Sequence, residues 1–224
     1  MTVDLTTTPD ERTFDRLPQF DPKSLSFPVR SLVADRPRRS YTWKVPVKLD
    51  QGREGACVGF GWAHEIAAKP KADATISNQY ALNIYHRARQ LDEWPGENYE
   101  GSSVIAGAKA AVELGKIKEY RWALGPGAAA AENDLALAVG YKGPAVMGTY
   151  WYEGMMDPDV DGYLRPTGQI LGGHCYIVHG YNVKYGYKVW NSWGTGFYGF
   201  ITVPDMITLL DNQGEACIPT IRGK

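Results

Sequence analysis

From about residue 141 onward the chain is written in a different chemistry from what precedes it. YKGPAVMGTYWY, GGHCYIVHGYNV, GYKVWNSWG and GFYGFITVP are aromatic and β-branched runs bounded by glycine and proline, the composition of strands that end in turns. The preceding part carries helix markers instead. LDQGREGACVGFGWAHEIAA runs from a glycine-studded loop into a helix over 57–68, closed by Lys69-Pro70 because proline disfavours helix in the residue before it. SNQYALNIYHRARQ starts on Ser77 as an N-cap, and SVIAGAKAAVELG ends on Gly115 as a C-cap. After a flexible GPGAAAA run, ENDLALAV supplies one more short helix. Helices first and antiparallel sheet second make an α+β plan with a crevice where the two halves meet.

Residues 1–40 fit neither half. They mix proline, aspartate and arginine with scattered hydrophobics and show no helical or alternating period, which reads as an extended arm. TWKVPVKLDQG reads as a short strand leading into the cysteine loop. The expected organisation is therefore an arm at 1–40 and one domain at 41–224, mainly helical over 41–125 and mainly β over 126–224. A chain of 224 residues with 44% hydrophobic and 22% charged residues suits one domain with its own core. With 24 basic against 25 acidic residues, nothing favours a nucleic-acid or anionic-membrane partner. MTVDLTTTPDERTFDRLPQF has no basic stretch followed by an apolar run, and no segment reaches the ~18 apolar residues of a membrane span. Three cysteines, Cys57, Cys175 and Cys217, are too few for a disulfide framework and form no CxxC pair. The expectation is a reducing, cytoplasmic or phage-associated setting, with no metal or organic cofactor.

Cys57 stands at the first turn of its helix, where the dipole and unsatisfied N–H groups favour thiolate. Free cysteine is also among the most commonly buried residues, and position alone leaves both readings open. A nucleophile needs a base, so each histidine is tested by reach. His64 lies two turns along the same helix, roughly 10 Å up its axis, too far from the thiol. His86, between Tyr85 and Arg87, belongs to a solvated face. In GGHCYIVHG the period of two puts His174 with Tyr176 and Val178, and His179 with Cys175 and Ile177, so only one of His174 and His179 faces a given site. Two glycines precede His174 and let other groups come close, which favours it. Its second nitrogen needs an acceptor to fix the tautomer, and KVWNSWG offers the amide oxygen of Asn191, with Trp190 and Trp193 to exclude water.

Gln51-Gly52, Cys57, Gly173-His174-Cys175 and Asn191-Ser192-Trp193-Gly194, in that order, resemble the papain-like cysteine protease family. The resemblance covers roughly 43–203. It implies a papain-like fold, with a helical half, an antiparallel β-barrel-like half and the active-site cleft between them. It implies further that Cys57 attacks a peptide carbonyl, that His174 holds and then donates the proton, and that Asn191 orients His174 under the cover of Trp193. Gln51 and the Cys57 N–H would form the oxyanion hole, and Gly101, Ser102 and Ser103 would line the cleft and pair with a polypeptide substrate. Cys175 would face the core behind His174.

The departures are Val58 where the family has tryptophan, Glu54 where it has a disulfide-bonded cysteine, and a spacing from Cys57 to His174 below the ~130–150 residues of the type family. The segment before Gln51 is also too short for the family's helical inhibitory propeptide, so the chain resembles compact bacterial or phage members. Two other functions use the same residues. One is a structural or binding component on this fold, for instance in a phage particle or other assembly. The other is acyl transfer or deamidation by the same Cys-His chemistry. The arm at 1–40 is expected either to affect activity or to cover core edges with Phe14, Leu17, Phe20 and Phe27.

Overall fold

The structure is a computed structural model that describes residues 12–94 and 99–223; the first eleven residues of the expected arm lie outside that range. After the arm, which contains two one-turn helices, α1 (Pro22–Leu25) and α2 (Arg30–Val33), come β1 (Tyr41–Thr42), α3 (Cys57–Ala67), α4 (Asn78–Leu91) and α5 (Val104–Glu113). Then follow β2 (Ile117–Trp122), α6 (Ala128–Tyr141), β3 (Ala145–Tyr152), β4 (Ile170–Asn182), β5 (Gly186–Asn191), β6 (Gly196–Ile201), α7 (Val203–Asp211) and β7 (Glu215–Arg222).

Local chemistry accounts for the helix ends. Ser77 accepts from the Tyr80 N–H and Ser103 from the Ala106 N–H, so both are N-caps, and Thr202 does the same for Asp205. Gly115, just past α5, adopts φ 68°, the left-handed turn that only glycine takes without strain. α3 is buried along its whole length, as a helix packed on every side must be.

The seven strands form one antiparallel sheet in the order β2-β7-β3-β4-β5-β6, with β1 paired to the end of β4. Its two end strands do not pair, so the sheet is open, a correction to the barrel-like half expected from the sequence. One apolar cluster lies between the sheet and α6 and α7, around Trp151, Tyr176 and Trp193. The other joins α3, α4 and α5 to the opposite face through Val146, Cys175 and Ile177. The helical and β regions are interlaced along the sequence. β2 falls inside the mainly helical stretch and pairs with β7 at the far end, while α6 and α7 fall inside the mainly β stretch. α6 begins in the alanine run that read as flexible, because Ala128 to Ala131 are good helix formers once Gly127 (φ 100°) has turned the chain. The strand read in TWKVPVKLDQG is reduced to Tyr41–Thr42; beyond it, Pro46 lacks the N–H that a continuing ladder requires.

Candidate active site

The glycine loop before α3 is held by the loop after β5. The Gln51 N–H donates to the Ser192 carbonyl at 2.9 Å, the Gly194 N–H to the Leu49 carbonyl at 3.1 Å, and Asp50 bridges Trp193. Segments far apart in sequence are thereby set side by side: Gln51, the first residue of α3 (Cys57) and the Asn191-Ser192-Trp193-Gly194 turn. The Ser192 hydroxyl donates to Gln51 Oε1 at 2.6 Å, which fixes the amide and turns Nε2 outward. There Nε2 donates to Thr13 Oγ1 at 3.0 Å and to the Glu54 carbonyl at 3.1 Å.

β4 carries His174 opposite Thr149 of β3. Its Nε2 lies 2.9 Å from Asn191 Oδ1, and the Ser192 N–H donates to that same oxygen at 2.8 Å. An amide oxygen only accepts, so Nε2 carries the proton and Nδ1 the lone pair. Trp193 stacks on the imidazole with centroids 4.9 Å apart at 19°, and Trp151 meets it edge-on, also at 4.9 Å. Trp193 thus covers the His174–Asn191 bond. Trp190 does not: its ring packs against His179 and His64 on the other face of β4 and β5, as strand alternation requires of a residue adjacent to Asn191. His179 binds the Trp43 carbonyl at 3.0 Å, His64 accepts from the Leu49 N–H at 3.2 Å, and His86 is exposed, so these three stand apart from His174.

Burial governs the protonation states. Cys57 is fully buried and its thiol is pushed up to about 11, although backbone hydrogen bonds from Asp15 and Cys175 pull the other way. His174 is lowered to about 4 by burial, against the smaller opposing effect of Asn191. His174 Nδ1 makes no hydrogen bond, so none joins it to Cys57. At neutral pH the thiol and imidazole are both uncharged, and the thiolate expected from helix position is outweighed by desolvation.

The arm contributes to that burial, with Phe14 against His174 and Asp15 hydrogen-bonded to Cys57. Residues 13–17 lie along the cleft between its two walls. The Arg16 N–H donates to the Gly173 carbonyl at 2.7 Å on one side; on the other, the Ser102 N–H donates to Asp15 at 3.1 Å and the Leu17 N–H to Ser102 at 2.9 Å. The approach is so close that a Cβ on Gly101 would lie 1.9 Å from the Asp15 carbonyl oxygen, and one on Gly173 would lie 2.0 Å from that of Arg16. Phe14 closes over His174 and Trp193, its ring edge-on to each at 5.6 and 5.8 Å. Phe14 packs against the core cluster around Trp151 and Trp193, whereas Phe20 and Phe27 remain about half exposed. Gly101 and Ser102 thus lie against residues 15–17 of the arm, whereas Ser103 is a buried helix cap whose hydroxyl bonds Gln19. Cys175 is buried behind this site, against Gly61 of α3.

Sequence reasoning missed Ser192 as the link to Gln51, Trp151 as the second ring on His174, and the path of Thr13 to Leu17. Only Trp151 left a trace, in the alternation of GTYWY. Among the described residues no group of histidine, cysteine and carboxylate side chains is arranged to hold a metal ion, and no helix is long and apolar enough to cross a membrane.

No protein-family model matches the chain, and no curated protein matches it in sequence. Solved structures do match. Xylellain, a cysteine protease from Xylella fastidiosa, is 17% identical with TM-score 0.66 over 99% of both chains. Digestive procathepsin L 3 of Tenebrio molitor larval midgut is 15% identical with TM-score 0.62, over 89% of this chain and 75% of that one. Recombinant stem bromelain precursor is 16% identical with TM-score 0.55, over 97% and 77%. The fold is that of the papain-like cysteine proteases.

Proposed function

We propose that the chain is a cysteine peptidase whose cleft is occupied by its own N-terminal arm. In the working state Cys57 Sγ attacks the carbonyl carbon of a peptide bond while its proton passes to His174 Nδ1. The tetrahedral oxyanion is held by Gln51 Nε2 and the Cys57 N–H. His174 then returns the proton to the leaving amine, and water releases the acyl group from sulfur by the same base. Asn191 keeps the imidazole in the tautomer that leaves Nδ1 free to accept, and Trp193 keeps water from that bond. The observation that carries the reading is the Asn191–His174 hydrogen bond, which leaves a bare lone pair on Nδ1, with Phe14 of the arm against the imidazole and the next residue, Asp15, hydrogen-bonded to Cys57. Gln51 Nε2 supports it by donating, as an oxyanion-hole group must, to the oxygen nearest at hand, that of Thr13.

In this reading residues 13–17 withdraw before a polypeptide enters, since the backbone bonds on Ser102 and Gly173 are those an extended substrate would use. The full-length likeness to a bacterial protease supports a compact bacterial or phage type, and three free thiols suit a reducing compartment. The seated arm also favours a second reading, a binding or assembly component whose cleft stays closed. Incubation of the full chain and its Cys57→Ala variant with an unfolded protein decides between them by mass: two fragments from the former alone support the peptidase, a ~1 Da gain points to deamidation, and an inert pair supports assembly.

A further inference from the structure

α6 carries two buried carboxylates that the N-terminal segment meets unequally. Glu132 has both oxygens bonded, Oε1 by Arg38 and the Tyr187 hydroxyl and Oε2 by Arg38 again. Asp134, 1% exposed, takes a single bond, from Arg30 Nε to Oδ1 at 2.9 Å, and its Oδ2 has no partner. Burial pushes its carboxyl up although Arg30 pulls the other way, so one more cationic donor is what the group lacks. Asp134 is also a wall of a pocket of about 310 Å³ between α2 and α6, lined by Arg30, Asp35 and Arg36 from the segment and by Asn133 and Leu137 from the helix. Arg30 meets Asp134 through Nε alone, which leaves its two terminal nitrogens for another acceptor. Asp35 and Arg36 are exposed and pair with no opposite charge among the described residues; Arg36 is held over the Tyr141 ring at 4.8 Å.

We propose that this pocket is a second binding site, sharing no residue with the cleft, and that it takes a free α-amino acid with an aliphatic side chain. The ammonium donates to Asp134 Oδ2 and to Asp35. The carboxylate accepts from the terminal nitrogens of Arg30 and from Arg36, and the side chain lies on Leu137. The pocket offers both signs of charge without partners, and ammonium and carboxylate on one carbon answer both at once. A ligand of one charge answers one and leaves the other unmet. Asn133 adds an amide N–H for the carboxylate, because its oxygen is already taken by Arg38 Nε. At about 310 Å³ the pocket stands at the small end of ligand sites, which suits one amino acid and excludes a folded partner. Since its walls are the N-terminal segment and α6, an occupant ties the segment more firmly to the body.

The test is a titration of the full chain with L-leucine, followed by calorimetry and by Tm, beside leucinamide, which lacks the carboxylate, and isocaproate, which lacks the ammonium. L-Leucine is expected to give saturable heat and a rise in Tm, with each single-charge analogue at least about tenfold weaker. Asp134→Asn, which removes the buried charge, is expected to abolish the leucine response. Arg36→Gln and Asp35→Asn change exposed side chains, and asparagine tolerates the φ of 65° at position 35. Each is expected to raise the leucine Kd at least about tenfold, and these two carry the test should Asp134→Asn not fold. No saturable binding to wild type overturns the proposal. So does binding of leucinamide or isocaproate as tight as that of leucine, or a leucine Kd unchanged in folded Asp134→Asn or in both exposed variants. None of these outcomes bears on the peptidase reading, which is read at Cys57.

Discussion

Two arginine–glutamate pairs tie the N-terminal segment to the body, and they are built differently. Arg38 reaches Glu132 of α6 through Nη1 at 3.0 Å and Nη2 at 2.5 Å, while its Nε bonds Asn133; the Tyr187 hydroxyl donates to the same carboxylate at 2.5 Å. Every nitrogen of that guanidinium and both carboxylate oxygens have partners. Arg16 leaves Nη1 bare and gives both its carboxylate bonds to one oxygen of Glu215. Around the first pair the backbone is also fixed: the Trp43 N–H donates to the His179 carbonyl, its indole to the Val139 carbonyl, and the Val29 N–H to the Trp122 carbonyl. Around the second, the backbone bonds only to the walls of the cleft. In the proposed function the segment has a permanent half, from about 28 to 43, and a displaceable half, 13–17, with the same ion-pair chemistry anchoring one and seating the other.

The largest effect expected lies in the permanent half. Arg38→Met strands a Glu132 carboxylate that is 2% exposed; because Arg38 itself is about a third open to water, the cost is roughly 2–4 kcal/mol, read by urea unfolding. Arg16→Ala is expected to cost only about 1 kcal/mol, since the freed arm lets water reach Glu215, whose carboxyl burial already biases toward its protonated form. It is also expected to raise Cys57 alkylation at pH 7 about tenfold by exposing the thiol. An Arg16→Ala loss equal to that of Arg38→Met, with alkylation unchanged, would break the comparison.

A smaller effect appears in the pH dependence. His174, at about 4 against an ordinary 6.5, is favoured neutral by folding, so its contribution is full above 6.5 and lost as pH falls through 4. Cys57, at about 11 against 9.0, is favoured protonated, so its contribution is full below 9.0 and lost as pH rises through 11. The unfolding free energy is expected to be highest between these limits. His174→Gln should flatten the acid limb in part, because burial holds His64 and His179 low as well. Cys57→Ser should flatten the alkaline limb in part, because Cys175 and Cys217 are pushed up as well. An acid limb untouched by His174→Gln would mean that His174 is solvated and the arm already displaced.

The His174–Asn191 pairing and the cysteine at the start of α3 were legible because their chemistry is local. A cysteine at a helix start, a histidine after two glycines and an asparagine beside a tryptophan each carry their meaning within a few residues. The α+β plan was legible for the same reason, from strand and helix composition. The arm was not: its partners Glu54, Ser102 and Gly173 are distant in sequence, and an extended segment that pairs with two walls at once leaves no period to read. β2 escaped because IKEYRW, on an end strand of the sheet, mixes charge with apolar residues, and β7 because EACIPTIR carries Pro219 within the run and charged residues at both ends. Trp190 was assigned to the wrong face because adjacency in sequence is opposition across a strand.

The central claim is that Cys57 and His174 form a working pair once residues 13–17 leave the cleft. Its most direct test is the rate of iodoacetamide alkylation of Cys57 at pH 6–7, followed by intact mass, in full-length Arg16→Ala with and without His174→Ala. The account predicts fast, selective modification of Cys57 that falls at least about tenfold without His174. Slow modification indifferent to His174 would contradict it and leave a papain-like fold kept for binding.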